Sequence, residues 1–244
     1  MSLNDVRRDW TTLGAEDPLW AVLIRPGKRG GRWDVDEFLA TGRADVAETV
    51  GWLDRLGLPT RWDRVLDFGC GAGRLSQALT AHAGQVVAVD IAPSMLEAAR
   101  RLDRTDGQIE FVLNDAPDLS RFPDGHFDLV YSALVLQHLP RPAVDRYLAE
   151  FLRVLRPGGV AVVGLPTEVA PTVKGLIWRF APFRLISWAQ RRILNYPAAM
   201  RMTPVPHADM ERLVATHGGE IVDRQADLPY TPDWRCSRYA LRRR

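Results

Sequence analysis

Residues 65–74 have the sequence VLDFGCGAGR, and the next apolar run ends at residues 86–90 with the sequence VVAVD. The apolar residues ahead of the glycines are typical of a buried strand, and helical spacing resumes from Leu75. The glycines between them indicate a tight turn at which the backbone can approach a ligand. Asp90 ends the second strand, and its ionised carboxylate only accepts hydrogen bonds, as the two hydroxyls of a ribose require. The sequence therefore predicts a nucleoside-binding crevice.

The spacing of the glycines distinguishes two classes of nucleotide-binding turn. A dinucleotide-binding turn has the pattern G-x-G-x-x-G, and counted from Gly69 its third glycine would fall at Arg74. The chain instead has Asp67-x-Gly69-x-Gly71-x-Gly73, which resembles motif I of the class I S-adenosylmethionine-dependent methyltransferases. An NAD-type or nucleotide-sugar oxidoreductase is therefore the less favoured enzyme class.

Apolar strands alternate with amphipathic helices between about residues 64 and 165, which is typical of a parallel sheet covered by helices. Two closing strands after a further helix resemble the reversed C-terminal hairpin of the same family. The resemblance implies an α/β fold that is Rossmann-like and doubly wound, with a mostly parallel seven-stranded sheet. The predicted strands are 64–67, 86–90, 109–113, 127–132, 160–165, 220–224 and 235–241.

Length and composition predict one domain, because 244 residues with 46% apolar content can bury one sizeable core, and the resemblance implies that it is a methyltransferase domain. We divide residues 1–244 into an N-terminal helical cap (1–60), a cofactor-binding core (61–165), a helical lid insertion after strand 5 (166–206), and a C-terminal helix with the closing strands (207–244). The cap is expected either to close over the cofactor or merely to extend the core. Ser94 and Glu97 predict a capping box, and a Pro-Gly-Gly sequence at 157–159 predicts a helix end.

The resemblance also implies which residues bind S-adenosyl-L-methionine (SAM) or its product S-adenosyl-L-homocysteine (SAH). Asp67 and the glycine backbone would lie against the methionine part, and Asp90 would hold the ribose. Ile91 and Met95 would flank the adenine, and Asp115 would accept a hydrogen bond from its amino group. The predicted cofactor-binding set comprises Asp67, Phe68, Gly69, Gly71, Gly73, Asp90, Ile91, Met95, Asn114, Asp115, Ala116 and Ser132.

His138, just after the fourth predicted strand, is the candidate catalytic residue. An imidazole there could take a proton from an acceptor hydroxyl at neutral pH, or it could simply hydrogen-bond the backbone, and both interpretations stay open. A sulfonium is an activated leaving group, so positioning supplies most of the rate and only a poor nucleophile needs a base. No metal is predicted, because the five histidines lack metal-binding spacing and the cysteines, Cys70 and Cys236, are far apart.

We expect the acceptor to be a small molecule, methylated at oxygen, such as a natural product or a sugar unit. Nucleic acid is disfavoured, because the net charge is only +2 and residues 132–135 have the sequence SALV in place of the Asn/Asp-Pro-Pro-Tyr/Phe element that grips a flipped base. A methyltransferase-fold subunit without catalytic activity remains the non-enzymatic alternative. The polar N-terminal residues and the lack of a long apolar run lead us to expect a cytoplasmic protein.

The segment 174–201 distinguishes this chain from a minimal methyltransferase. It carries six cations, and no acidic residue occurs from Val169 to Ala208. Its apolar residues between Leu176 and Ile193 fall on one side at helical spacing, which predicts a cationic amphipathic lid. Such a lid could pack on the sheet, cover an acceptor, or contact an anionic membrane carrying a lipid-linked acceptor. We favour the acceptor cover over peripheral membrane contact, and the oligomeric state is left open.

Overall fold

The computed structural model describes residues 2–227 and 233–244. These residues form one sheet of seven strands in the order β3-β2-β1-β4-β5-β7-β6. Strands β1 to β5 are parallel, whereas β7 is antiparallel to both of its neighbours, β5 and β6. The predicted fold class is therefore confirmed. The strands are β1 Trp62–Phe68, β2 Ala83–Asp90, β3 Ile109–Leu113, β4 Phe127–Ala133, β5 Leu155–Val169, β6 Gly219–Asp227 and β7 Trp234–Arg243.

Helices cover both faces of the sheet and its carboxyl edge. The helices before β1 are α1 Leu3–Glu16, α2 Pro18–Val22 and α3 Val35–Arg55. Those between the parallel strands are α4 Arg74–Leu79, α5 Pro93–Leu102 and α6 Arg141–Val154, with a short 3-10 turn at Leu136–His138 before α6. Helices α7 Val173–Phe180 and α8 Phe183–Arg192 follow β5, and α9 His207–Thr216 precedes β6.

Alternating side chains of the central strands pack into two separate cores. Leu66 and Val87 point into the core that contains α6, whereas Val65 and Val86 point into the core on the opposite face, which contains α3. All four side chains are at most 3% exposed. The strands read as continuous apolar runs because a parallel sheet with helices on both faces is buried on both sides.

The order of the strands fixes where a ligand can bind. β1 pairs with β2 on one side and with β4 on the other, so the chain reverses its direction of winding at β1. In open parallel sheets the crevice at such a reversal, beyond the carboxyl ends of the strands, is the usual ligand site. Phe68 pairs with Val89 at this edge, which brings the glycine turn beside the end of β2.

Two local predictions at helix ends are wrong. Ser94 does not cap α5, whose N-cap is Ala92; the Ser94 hydroxyl instead donates to the backbone carbonyl of Thr11 at 2.8 Å. Pro93 occupies the first turn of α5, which starts the helix before Ser94 can cap it. Helix α6 ends at Val154, so residues 157–159 lie within β5 rather than forming the helix stop.

The lid segment forms two helices and not one continuous amphipathic face. Ala181 and Pro182 separate α7 from α8. Leu176 and Phe180 on α7 are exposed, whereas Ile186 on α8 is buried, so the predicted single apolar side is wrong. None of the helices in the described ranges is both long enough and apolar enough to span a bilayer.

Candidate active site

A cavity of about 80 Å³ lies at the carboxyl ends of β1, β2 and β4, and we call it the strand-end cavity. The glycine turn and the end of β2 form its floor, α6 contributes Tyr147, and the N-terminal helices contribute Val6, Trp10 and Val22. The remaining wall is formed by the segment after β4. The residues of this cavity wall are Val6, Trp10, Val22, Phe68, Gly69, Cys70, Gly71, Arg74, Leu75, Val89, Asp90, Ile91, Asn114, Ala133, Leu134, Val135, His138, Leu139 and Tyr147.

The glycine turn has the tight geometry that its sequence predicts. Gly69 and Gly71 have φ of +76° and +53°, which an L side chain rarely adopts. A Cβ atom at Gly69 would lie 2.4 Å from the Val135 methyl groups, and one at Gly71 would lie 2.5 Å from a Val22 methyl group. The amide of Gly69 donates to the carbonyl of Val89 at 2.8 Å, so the turn is fixed to the end of β2. Glycine is therefore required here for both conformation and space.

The Asp90 carboxylate holds the two sides of this turn together. Its Oδ2 accepts from the Gly71 amide at 2.9 Å and its Oδ1 accepts from the Ala92 amide at 2.8 Å. Burial raises the pKa of Asp90 to about 6, against the opposing effect of these backbone donors. Each carboxylate oxygen can accept a second hydrogen bond, so Asp90 retains acceptor capacity on the cavity wall.

Asp67 lies behind the turn rather than on the cavity wall. It is 1% exposed, and its Oδ2 accepts from the Ser76 hydroxyl at 2.5 Å. Burial raises the pKa of Asp67 to about 6, while the Ser76 bond and the Arg74 charge lower it. The carboxylate therefore joins the end of β1 to α4 and supports the turn from below.

The structure brings about half of the predicted site residues together. Those on the wall of the strand-end cavity are Phe68, Gly69, Gly71, Asp90, Ile91, Asn114 and His138. Those outside the wall are Asp67, Gly73, Met95, Asp115, Ala116 and Ser132. Asp115 is half exposed and forms an ion pair of 3.0 Å with Arg7 of α1, and Ala116 accepts a hydrogen bond from the Tyr147 hydroxyl at 2.8 Å. Met95 and Ser132 are fully buried.

His138 is held in one tautomer by a backbone carbonyl. Its Nδ1 lies 2.7 Å from the carbonyl oxygen of Arg201, and because a carbonyl only accepts, Nδ1 must carry the proton. The other ring nitrogen, Nε2, is then an acceptor. Burial lowers the pKa of His138 to about 4, so the imidazole is neutral at physiological pH. The Trp10 ring lies over it, with 4.8 Å between the ring centroids.

A second and larger cavity, of about 280 Å³, lies between the end of β5, the helices α7 and α8, and β7, and we call it the lid cavity. Apolar side chains form most of its wall, including Ile177, Trp178 and Trp234, and the last two rings pack edge to face at 5.7 Å. Its polar wall residues include Gln137, Lys174, Gln190 and Asp233. The lid thus encloses a space suited to an apolar molecule.

Three residues form a wall shared by the two cavities. Val22, Leu134 and His138 line both the strand-end cavity and the lid cavity. Leu134 has a φ of +65°, a strained conformation for a residue other than glycine. Backbone strain of this kind is found most often at functional sites, and here it occurs at the junction.

The contribution of the N-terminal helices could not be assigned from sequence. Val6, Trp10 and Val22 reach the site only because α1 and α2 pack over the carboxyl edge of the sheet, a contact between parts of the chain that are more than 40 residues apart. The sequence shows that Arg74 departs from the dinucleotide-binding pattern. It does not indicate that the Arg74 guanidinium donates a hydrogen bond of 2.5 Å to the Asp45 carboxylate. The three N-terminal residues carry no local pattern that could have identified them.

Within residues 2–227 and 233–244, no three His, Cys, Asp or Glu side chains group closely enough to hold a metal ion.

Known proteins resemble this chain in sequence and in fold. The family model described as "Methyltransferase domain" matches residues 66–163. The 2-methyl-6-phytyl-1,4-hydroquinone methyltransferase of Synechocystis sp. is 36% identical over 165 residues, which are 66% of this chain and 50% of that protein. The demethylmenaquinone methyltransferase of Clavibacter sepedonicus is 39% identical over 117 residues, 48% of this chain and 46% of that protein. The chain therefore spans about half the length of these curated relatives.

The fold comparison extends beyond the matched region. The crystal structure of magnesium protoporphyrin IX methyltransferase from Synechocystis PCC 6803 with bound SAH superimposes with a TM-score of 0.67 and 19% identity, covering 100% of both chains. That likeness includes the N-terminal helices, the lid segment and the closing strands. Residues 66–163 therefore match a methyltransferase domain, and the sheet order and this likeness show that the chain has the class I methyltransferase fold.

Proposed function

We propose that this chain binds SAM in the strand-end cavity and transfers its methyl group to a small apolar acceptor in the lid cavity. The main support for the proposal is the wall shared by the two cavities, because the methyl group must pass directly from one bound molecule to the other. Val22, Leu134 and His138 form that junction. The relatives named above are methyltransferases, which supports the reaction class.

The residues of the strand-end cavity fit the cofactor. The glycine turn adds no side chains of its own at Gly69 and Gly71, and the buried Asp90 carboxylate, beside the bonds from Gly71 and Ala92, retains acceptor capacity for the hydroxyls of a ribose. When bound, SAM supplies a methyl group on a sulfonium, which a nucleophile takes by in-line displacement. Asp90 would hold the ribose, while Phe68, Ile91 and Tyr147 would exclude water from its surroundings.

The lid cavity favours an aromatic acceptor with an apolar substituent over a sugar. Its wall is mostly apolar, and the indole rings of Trp178 and Trp234 on that wall can pack against an aromatic ring. The named relatives act on a phytyl hydroquinone and on demethylmenaquinone, and others are ubiquinone biosynthesis O-methyltransferases. We therefore propose a hydroquinone or substituted phenol, methylated at oxygen.

His138 is proposed to accept the hydroxyl proton of the acceptor. Because Nδ1 is protonated, Nε2 is free to accept, and the low pKa of about 4 keeps it free at neutral pH. A base this weak is sufficient if the proton leaves late, since a hydroxyl oxygen becomes strongly acidic once it gains a methyl group. The Arg201 carbonyl fixes the ring plane for this role.

Methyl transfer from isotopically labelled SAM tests the proposal directly. The purified chain is incubated with an alkyl-substituted hydroquinone or with a methyl glycoside of similar size, and mass spectrometry locates the label. We expect an O-methylated hydroquinone and no product from the glycoside. Calorimetric titration with SAH and with NAD serves as the control for the cofactor. Binding of NAD without binding of SAH would show the proposal to be wrong.

A further inference from the structure

Helix α7 presents its apolar stripe to the outside of the molecule. Val173, Leu176, Ile177 and Phe180 have the i, i+3, i+4, i+7 spacing by which an amphipathic helix normally packs on a core. Here they are exposed, with Val173 at 81% and Phe180 at 75%. The buried side of α7 is instead formed around Gly175, where a Cβ would lie 2.1 Å from the carbonyl of Ala170.

Helix α8 and the residues after it extend this apolar surface. Leu185, Trp188, Ile193 and Leu194 are also exposed. Among residues 2–227 and 233–244, nine large apolar side chains are exposed, and eight of them lie between 173 and 194. We call these eight residues the outer lid surface. Exposed apolar residues are common singly on proteins, but eight of them within residues 173–194 mark an interaction site.

The charges around the outer lid surface are of one sign. Arg179, Arg184 and Arg192 are exposed, and no carboxylate in the described part of the chain lies within ion-pair distance of them. Lys174 pairs with Asp233 at 3.3 Å and Arg191 with Asp9 at 3.3 Å, so these two cations are partly compensated. The partner of this surface should therefore be both apolar and anionic.

We propose that the outer lid surface docks on a membrane that contains anionic lipid. Apolar side chains alternating with unpaired arginines on short helices are typical of helices that lie in a bilayer interface, where the apolar residues enter the acyl region and the cations meet the headgroups. A partner protein would need an acidic rim around an apolar groove, and nothing in the chain favours that more specific arrangement. From the sequence alone, an acceptor cover is favoured over membrane contact, and the placement of α7 and α8 between the lid cavity and the solvent is compatible with both roles.

The lid cavity lies next to this surface, because the two share residues. Ile177 and Leu194 belong to the outer lid surface and also line the lid cavity. An apolar molecule dissolved in the bilayer could therefore enter the cavity without crossing water. This delivery role rests on the proposed function, whereas the docking itself does not.

Vesicle cosedimentation tests the docking without any assay of activity. The probes are vesicles of phosphatidylcholine alone and of phosphatidylcholine mixed with phosphatidylglycerol, at about 0.05 M and about 0.5 M salt. We expect binding to the anionic vesicles that weakens at high salt. The double variant Val173→Asp/Phe180→Asp should lower the partition coefficient by at least about tenfold, because neither residue lines a cavity and both would carry charge into the bilayer.

A matched control separates docking from a general effect of added charge. Ala81→Asp/Gln108→Asp adds the same charge at two exposed positions before β2 and β3, at the opposite edge of the sheet, and should bind vesicles like the unmodified protein. Calorimetry with SAH checks that all three proteins retain the strand-end cavity. If the unmodified protein stays in solution with anionic vesicles, the proposal is wrong. A dimer in sedimentation velocity that Val173→Asp/Phe180→Asp abolishes, without vesicle binding, would assign the surface to a second copy of the chain and also overturn it.

Discussion

Replacing Asp90 by alanine is the most direct test of the cofactor site. The carboxylate is proposed to accept both ribose hydroxyls from inside a largely dry cavity. Two charge-assisted hydrogen bonds of this kind contribute about 2–4 kcal/mol, so SAH should bind about 30- to 1000-fold more weakly to Asp90→Ala. Isothermal titration calorimetry measures this change directly.

The fold should survive this substitution, and the structure shows why. The pKa of Asp90 rises from 3.8 to about 6 on folding, so the ionised group costs the folded state about 3 kcal/mol at pH 7. This net cost already includes the stabilising bonds from the Gly71 and Ala92 amides; alanine removes the larger burial cost but leaves these amides without their acceptor, at about 1–3 kcal/mol each. The two effects are of similar size and opposite sign. Urea unfolding should therefore give a free energy close to that of the unmodified protein.

The pH dependence gives the same test a second readout. Protonation of Asp90 removes acceptor capacity, so SAH affinity should be constant above pH 6 and fall by about tenfold per unit below it. The Asp90→Ala variant should lack this dependence. Glu97→Ala removes one carboxylate from the exposed side of α5 and serves as the control for charge alone. Unchanged SAH affinity in a folded Asp90→Ala protein would refute the assignment.

Two further substitutions address the junction and the core. His138→Ala should lower turnover about 10²- to 10⁴-fold with little change in SAH affinity if His138 is the base, whereas a loss below about fivefold would mark it as structural. Gly42→Ala should destabilise the fold by about 1–3 kcal/mol in urea unfolding, since its Cβ would lie 2.2 Å from the Arg74 carbonyl oxygen. Gly51→Ala, on the same helix with no atom nearer than 3.7 Å, should instead stabilise by about 0.5–1 kcal/mol, and a loss of stability there would contradict the packing argument.

The sheet could be predicted closely because its signals are local. Each of the seven predicted strands overlaps an observed one, and β3 Ile109–Leu113 has the predicted limits. Continuous apolar runs and the glycines that end them arise from burial on both faces, which is a property of each strand by itself. Strand limits were less accurate where long-range pairing extends a strand, as in β5, which begins at Leu155 because it pairs there with Phe127.

Most of the predicted site residues that lie on the wall of the strand-end cavity belong to the sheet edge. Gly69, Gly71 and Asp90 follow from strand ends, and all three lie on the cavity wall. The outward stripe of α7 is the opposite case: the spacing of its apolar residues predicts a helix, but spacing alone does not show whether that stripe faces the core or the solvent. Pro182 begins the second helix, α8, in which the apolar residue Ile186 is buried instead.

The packing of α1 over the strand-end cavity sets a lower limit on the length of chain that can enclose this cavity. Ser94 bonds the Thr11 carbonyl, and a Cβ at Gly14 would lie 2.6 Å from the Ser94 hydroxyl, so α1 and α5 interlock at close range. A fragment cut to the family match at 66–163 would keep the glycine turn and Asp90 yet lack Val6, Trp10 and Val22. Such a fragment would leave the strand-end cavity open to water on one side and would also lose Val22 from the wall that this cavity shares with the lid cavity. The domain match at residues 66–163 is therefore shorter than the part of the chain that encloses the strand-end cavity.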